Sequence, residues 1–145
     1  MILVQKILFL KNVPLFSTMP PDTLAWVAEA ADETSCPSGQ TIFEKGGEGD
    51  SMYVIADGSV RIYDGAKTLA TLPQGAFFGE LSILDDETRS ASAAAEMDCL
   101  LLVIRQDSFR RILSKQFDVT ENLLKILVRR IREQSPQLQQ EQNED

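Results

Sequence analysis

The chain contains no histidine and only two cysteines, Cys36 and Cys99. The first absence removes serine–histidine and cysteine–histidine nucleophile pairs, HExxH metalloprotease sites and a histidine-ligated haem. Two cysteines are too few for a thiolate zinc site or an iron–sulfur cluster. Far apart and outside any motif, they read as reduced, buried thiols. Basic charge is also scarce: 14 Lys and Arg against 22 Asp and Glu leave a net charge of −8. A nucleic-acid backbone or an anionic membrane selects for basic surfaces, so neither is an expected partner. No apolar run approaches the ~20 residues that a membrane span requires. The apolar N-terminus fails as a signal peptide, since no charged region precedes it, Lys6 interrupts it and no small-residue cleavage site follows. The expectation is a cytoplasmic binding module rather than an enzyme, with no metal, no cofactor, no direct nucleic-acid contact and no membrane insertion.

What is present is enough for one domain, since 145 residues bury a core without disulfide or metal support. Residues 1–13 place Ile2, Leu3, Ile7, Leu10 and Val13 at helical spacing, which predicts an amphipathic helix docked on a core. Pro20-Pro21 starts a second helix through Leu24, Trp26, Val27 and Ala30, because proline suits the first helical turn. Trp26 and the phenylalanines sit at core-like spacings. From Glu33 to about Arg105 glycines recur between the short β-rich runs 41–43, 52–55, 60–63 and 69–72, and 100–104 makes the last strand. Short strands with turn signals between them read as an antiparallel β-roll, jelly-roll-like, flanked by N- and C-terminal helices. Asp57-Gly58 marks one hairpin and Asp64-Gly65 another. Helical periodicity returns over 106–113 and 118–134, so the domain is read as 1–135. The Gln-rich acidic segment 136–145 reads as a disordered tail. No DNA-binding helix-turn-helix is expected after Gln134.

One segment carries chemistry, from Gly75 to Ala93. Gly79 permits a tight turn with backbone open to a ligand, and residues 80–84 form about one helical turn whose free amides favour an anion. A strand is expected to begin near Arg89, whose planar donor fork suits phosphate oxygens. Glu80 is an acceptor for a sugar hydroxyl or a partner for a cation. Together they describe a site for a small phosphate bearing a hydroxyl; an internal Glu80–Arg89 salt bridge is the structural alternative.

The sequence resembles the cyclic nucleotide-binding domain family of catabolite activator protein, protein kinase regulatory subunits and cyclic-nucleotide-gated channels. Its phosphate-binding cassette matches at Phe78-Gly79-Glu80 and Arg89-Ser90-Ala91-Ser92. A second signature matches at 43–46, Gly49-Asp50-Ser51-Met52-Tyr53-Val54-Ile55 and Gly58-Ser59-Val60, so the likeness spans roughly residues 5–134. The resemblance implies that Arg89 pairs with the exocyclic oxygens of a cyclic phosphate and that Glu80 accepts the ribose 2′-OH. It implies that amides near Gly79, Leu81 and Ser82 face the phosphate or ribose, and that Ser90 and Ala91 add contacts. Val60 and Ile62 are the candidate wall for the base. The ligand it implies is cAMP in preference to cGMP, since Ser90 is a smaller hydroxyl than the threonine of many cGMP-selective relatives. The chain departs from the family's frequent proline at Thr88 and carries three acids at 85–87.

Gly46, Gly47, Gly49 and Asp50 lack the following Lys-Ser/Thr of a Walker loop and read as a turn. The charge is uneven: residues 22–88 hold thirteen acids against three bases, whereas 105–133 hold eight bases against four acids. Phe117, Thr120, Leu124, Leu127 and Ile131 form a stripe that packs on the roll or makes a homodimer seam; the family resemblance implies that this helix moves and covers the base, with an aliphatic lid at Leu124 or Leu127. Such a module acts through an effector protein or a fused output domain; a scaffold roll that binds no nucleotide is the alternative.

Overall fold

The computed structural model describes residues 1–134. The tail assigned to 136–145 lies outside the described residues. Two N-terminal helices, α1 (Leu3–Lys11) and α2 (Pro21–Ala30), precede strands β1 (Ala31–Cys36), β2 (Thr41–Phe43), β3 (Ser51–Asp57), β4 (Val60–Asp64), β5 (Lys67–Leu72) and β6 (Phe77–Phe78). A short helix α3 (Glu80–Asp85) leads to β7 (Ser92–Ala95) and β8 (Cys99–Arg105), followed by α4 (Gln106–Lys115) and α5 (Phe117–Gln134). The strands form two antiparallel four-stranded sheets in the orders β1-β8-β3-β6 and β2-β7-β4-β5. This is the β-roll with flanking helices that the glycine-punctuated pattern predicts.

The alternation of side chains along a strand divides the core into two layers. Along β3 and β8, Met52, Val54, Ala56, Leu102 and Ile104 pack into a cluster with α1, α2, α4 and α5. Their neighbours Ile55, Cys99 and Leu101 point the other way, into a cluster with Val60, Ala93 and Ala95 of the second sheet. A strand covered on both faces needs apolar residues at every position, which is why 100–104 is an unbroken aliphatic run. The adjacent phenylalanines of β6 split in the same way, Phe77 to the helical layer and Phe78 to the layer between the sheets.

Of the two predicted hairpins only Asp64-Gly65 forms, joining the paired strands β4 and β5 with Gly65 at φ 58°. Asp57-Gly58, with Gly58 at φ 95°, instead carries the chain from β3 into the other sheet, because β3 is already paired on both edges by β8 and β6. At Gly58 a side chain is also excluded by space, since a Cβ there lies 2.6 Å from the Asp98 carbonyl and 2.8 Å from Cys99 Sγ. The sequence reading misses β1, whose interior Asp32-Glu33-Thr34-Ser35 is exposed and polar. It pairs with β8 at the sheet edge, where charged side chains discourage further strand addition.

Two helical expectations, for α1 and for the α5 stripe, need correction. Helix α1 is shorter than 1–13, and Ile2 and Leu3 face solvent while Leu10 and Val13 carry the docking. Trp26 is half-buried at the edge of the helical layer, with Arg111 of α4 above its ring. The α5 stripe does not act as one face: Val119 and Leu123 enter the core, whereas Phe117 (74% exposed), Leu124 and Ile131 stay in solvent. Leu127 is partly buried against the helical cluster.

Candidate functional site

The cassette begins where β6 ends. Gly79 takes φ 85°, and a Cβ there lies 2.9 Å from Arg89 Nη1 and 3.2 Å from the Ser51 carbonyl. Both the positive φ and the close approach require glycine. Helix α3 follows, and its polypeptide returns as an extended loop to β7, which starts at Ser92 rather than near Arg89. The loop is held by backbone pairing with the glycine turn: Arg89 N–H donates to the Gly47 carbonyl and Gly46 N–H to the Arg89 carbonyl, each at 2.8 Å. The turn at 46–49 is thus the wall against which Arg89 is set.

Arg89 is 5% exposed. Its Nη1 donates to the Gly79 carbonyl (2.7 Å) and Ser82 Oγ (2.9 Å), and its Nη2 to the Ser51 carbonyl (2.8 Å). The guanidinium lies over the Phe43 ring at 4.1 Å and near that of Tyr53 at 6.0 Å. Phe43, Tyr53 and Phe78 form one aromatic group with centroids 5.1–5.9 Å apart. Every acceptor is neutral, and no carboxylate among the described residues forms an ion pair with Arg89. Its Nε–H is buried with no partner. Three of the five N–H donors of a guanidinium are therefore used, and two are free. Burial pushes the pKa of Arg89 down, against upward pulls from Tyr53, Asp50 and Glu80. Arg89 is thus a buried cation whose direct contacts are neutral dipoles and ring faces, and a charge without an ion-pair partner costs several kcal/mol to bury.

Glu80 opens α3 and is 2% exposed. Its ion partner is not Arg89 but Arg130 of α5, with Nη1 2.9 Å from Oε1. Arg130 also donates to the Phe77 carbonyl at 3.4 Å and lies over the Phe77 ring at 4.9 Å. Burial raises the Glu80 pKa, against lowering by its own backbone amide and by Arg130. The other end of α3 is held by α4: Arg110 Nη2 donates to the Ile83 carbonyl and to Asp86 Oδ1, each at 2.6 Å. A cation on the last carbonyls of a helix complements their partial charge. Asp86 accordingly sits in an ion pair, while Asp85 accepts from the Glu87 amide at 3.0 Å.

The remaining sequence-predicted positions divide by accessibility. Ser82 is buried and already accepts from Arg89, Ala91 is buried at the loop's end, and Leu81 and Ser90 are exposed on the cassette. Val60 is fully buried between the sheets, whereas Ile62 is partly buried and edges the same cluster. Sequence reasoning misses Arg130 and Arg110, which lie 50 and 24 residues from their carboxylate partners and carry no local signal. It also misses the part played by Gly49, where a Cβ lies 2.4 Å from Ser82 Oγ and 2.5 Å from Arg89 Nε.

A family profile described as the cyclic nucleotide-binding domain matches residues 33–116. The chain is 36% identical over 113 residues to a cAMP-dependent protein kinase regulatory subunit of Aspergillus fumigatus, covering 77% of this chain and 27% of that protein. It is 34% identical over 129 residues to the cyclic AMP receptor protein of Thermus thermophilus, covering 86% of this chain and 60% of that protein. Among solved structures, the Thermus thermophilus catabolite activator protein superposes with a TM-score of 0.75 at 34% identity, over 83% of this chain and 59% of that one. The regulatory domain of Toxoplasma gondii PKA, co-crystallised with cAMP, shares the fold with a TM-score of 0.78 at 24% identity, over 88% of this chain and 50% of that one. The chain thus spans about a quarter to three-fifths of the length of these relatives.

Proposed function

The chain belongs to the cyclic nucleotide-binding domain family, and from that premise we propose that it is a regulatory module whose ligand is cAMP, bound in preference to cGMP. The observation that carries this reading is Arg89: a buried guanidinium without a counter-ion, with two N–H donors free. A single monoanionic phosphate supplies the missing charge and two acceptor oxygens. The Glu80 carboxylate supplies an acceptor for a ribose hydroxyl, and the amides of Leu81 and Ser82 with Ser90 and Ala91 complete the cassette. Ile62 is the better of the two candidates for the base wall, because Val60 keeps no accessible surface.

In this reading the output is mechanical. Helix α3 is gripped at Glu80 by Arg130 of α5 and at Ile83 and Asp86 by Arg110 of α4. A ribose hydroxyl that takes Glu80 competes with Arg130, so the ligand biases the equilibrium between a docked and a released α5. The exposed Phe117, Leu124 and Ile131 support a homodimer seam or contact with an effector protein or fused output domain. Among the described residues no helix is long and apolar enough to cross a membrane, and a cytoplasmic setting fits the two free thiols.

Calorimetric titration of the chain with cAMP and cGMP tests the reading. Micromolar or tighter binding is expected, cAMP ahead of cGMP, and lost in Arg89→Glu with the fold intact. No heat at high micromolar ligand overturns it in favour of a scaffold domain. The chain's one tryptophan, Trp26, lies beneath Arg111 of α4, so its emission reports the helical movement. Sedimentation with and without ligand tests the dimer.

A further inference from the structure

The nucleotide reading makes no use of the two cysteines, yet the fold brings them together from 63 positions apart, as the last matched pair of the β1–β8 ladder. We propose that Cys36 and Cys99 form a modification site, a thiol pair that oxidises reversibly to a cross-strand disulfide. Residues directly opposite in an antiparallel pair have Cα atoms about 4.5–5.5 Å apart, inside the roughly 4.4–6.8 Å range of disulfides. Opposed residues also project from the same sheet face, and both side chains enter the same buried cluster between the sheets. Both thiols are free and buried.

The surroundings favour closure. The pair stands at the end of both strands, where Cys36 runs into the Pro37 turn and Cys99 follows the Asp98 loop, so the backbone can adjust without breaking a continuing ladder. The turn and loop are tied together by the Ser38 amide, which donates to Asp98 Oδ1 at 2.9 Å. Cys99 Sγ donates toward the Ser59 and Met97 carbonyls, each at 3.1 Å, and Cys36 Sγ toward the Gln40 carbonyl at 3.9 Å. Oxidation removes these weak donors, but the Ser59 carbonyl keeps the Glu96 amide at 3.0 Å. Burial, and next the neighbouring Cys99, raise the pKa of Cys36. The exchange therefore quickens as pH rises and more thiolate forms.

The reaction is thiol–disulfide exchange with a small-molecule disulfide such as oxidised glutathione. One cysteine thiolate attacks the glutathione disulfide, forming a mixed disulfide and releasing one glutathione thiolate. The second cysteine thiolate then attacks the protein sulfur of that mixed disulfide and releases the other. The two thiol protons pass to solvent or to the departing thiolates, the cysteines are oxidised, and one glutathione disulfide is reduced to two thiols. The ring closed from Cys36 to Cys99 encloses β2 to β7 and the cassette. At that loop length the cross-link is expected to raise the unfolding midpoint by roughly 10 °C.

The test is incubation of the whole reduced chain with oxidised glutathione across a pH series, followed by acid quench, denaturing alkylation and peptide mapping by mass spectrometry. The expected product is a monomeric chain lighter by two hydrogens, with the Cys36 and Cys99 peptides linked. Its raised midpoint returns to the starting value in dithiothreitol. Cys36→Ala and Cys99→Ala each abolish the shift, though the wild-type mapping alone decides the matter. Full alkylation of both cysteines after prolonged oxidation overturns the proposal, as does a stable glutathione adduct or a disulfide found only between chains.

Discussion

Replacing Arg89 by methionine separates the two things this side chain does. In the fold it satisfies the Gly79 and Ser51 carbonyls and Ser82 Oγ, so its loss removes three hydrogen bonds. Each unsatisfied acceptor costs about 1–3 kcal/mol. The same substitution removes a buried cation with no ion-pair partner, which relieves a cost of several kcal/mol. Methionine fills much of the volume beside Phe43 and Tyr53, and the opposing effects leave the unfolding free energy within about 2 kcal/mol of wild type. Ligand binding has no such compensation. The guanidinium is already desolvated, so a phosphate gains its two free donors without stripping water from them. At about 1.5–3 kcal/mol per charge-assisted bond, the variant loses at least about 3 kcal/mol, or roughly two orders of magnitude in affinity. Thermal melts with and without cAMP read both effects. At a nucleotide concentration about 100 times the wild-type Kd, linkage stabilises wild type by about 2.7 kcal/mol, a midpoint rise of about 8 °C for a chain of this size. Arg89→Met is expected to melt near the wild-type midpoint and to show almost no rise. A variant that folds and still binds cAMP within about threefold of wild type, a difference of only ~0.6 kcal/mol, refutes the assignment of the phosphate to Arg89.

Arg130→Ala frees Glu80 from the half-exposed Arg130 partner, an interaction of about 1 kcal/mol, and is expected to raise nucleotide affinity roughly fivefold and to speed amide exchange in α5; unchanged affinity and exchange argue against the latch. Gly49→Ala drives a methyl into Ser82 Oγ and Arg89 Nε. It is expected to lower stability by about 1–3 kcal/mol and to weaken binding with it, measured by melts and calorimetry. Because burial raises the folded-state pKa of Glu80 above its ordinary value, wild type takes up a proton on folding in the window between the two and gains stability as pH falls through it. Glu80→Gln lacks that gain, so its midpoint relative to wild type is expected to be highest near neutral pH and to fall toward mild acid. The opposite trend in paired melts shows that Arg130 outweighs the burial.

Much of the roll was legible because its strands obey local rules. The turns at Gly58 and Gly65 need a positive φ that few residues besides glycine adopt readily, though only Gly65 closes a hairpin, and the unbroken apolar run of β8 follows from cover on both faces. β1 escaped because its exposed edge carries Asp32, Glu33, Thr34 and Ser35 without the alternation that marks a half-buried strand. The α5 stripe departs from its periodicity for a related reason. Periodicity reports that a helix has an apolar face but not how wide the receiving surface is, and here only Val119 and Leu123 are fully received.

The sequence by itself determined the chemistry available: no histidine for catalysis, one arginine and one glutamate at cassette spacing, and a glycine at the left-handed turn that opens the cassette. Only the tertiary structure decided which charges meet. Arg89 and Glu80 are close in sequence, yet the fold turns the arginine inward onto neutral carbonyls and rings and gives the glutamate to Arg130, 50 positions away. Spacing along a chain fixes which side chains share a loop or a helix face. Burial and the packing of a distant helix fix their counter-ions, and among the described residues they leave the buried Arg89 without an ion-pair partner.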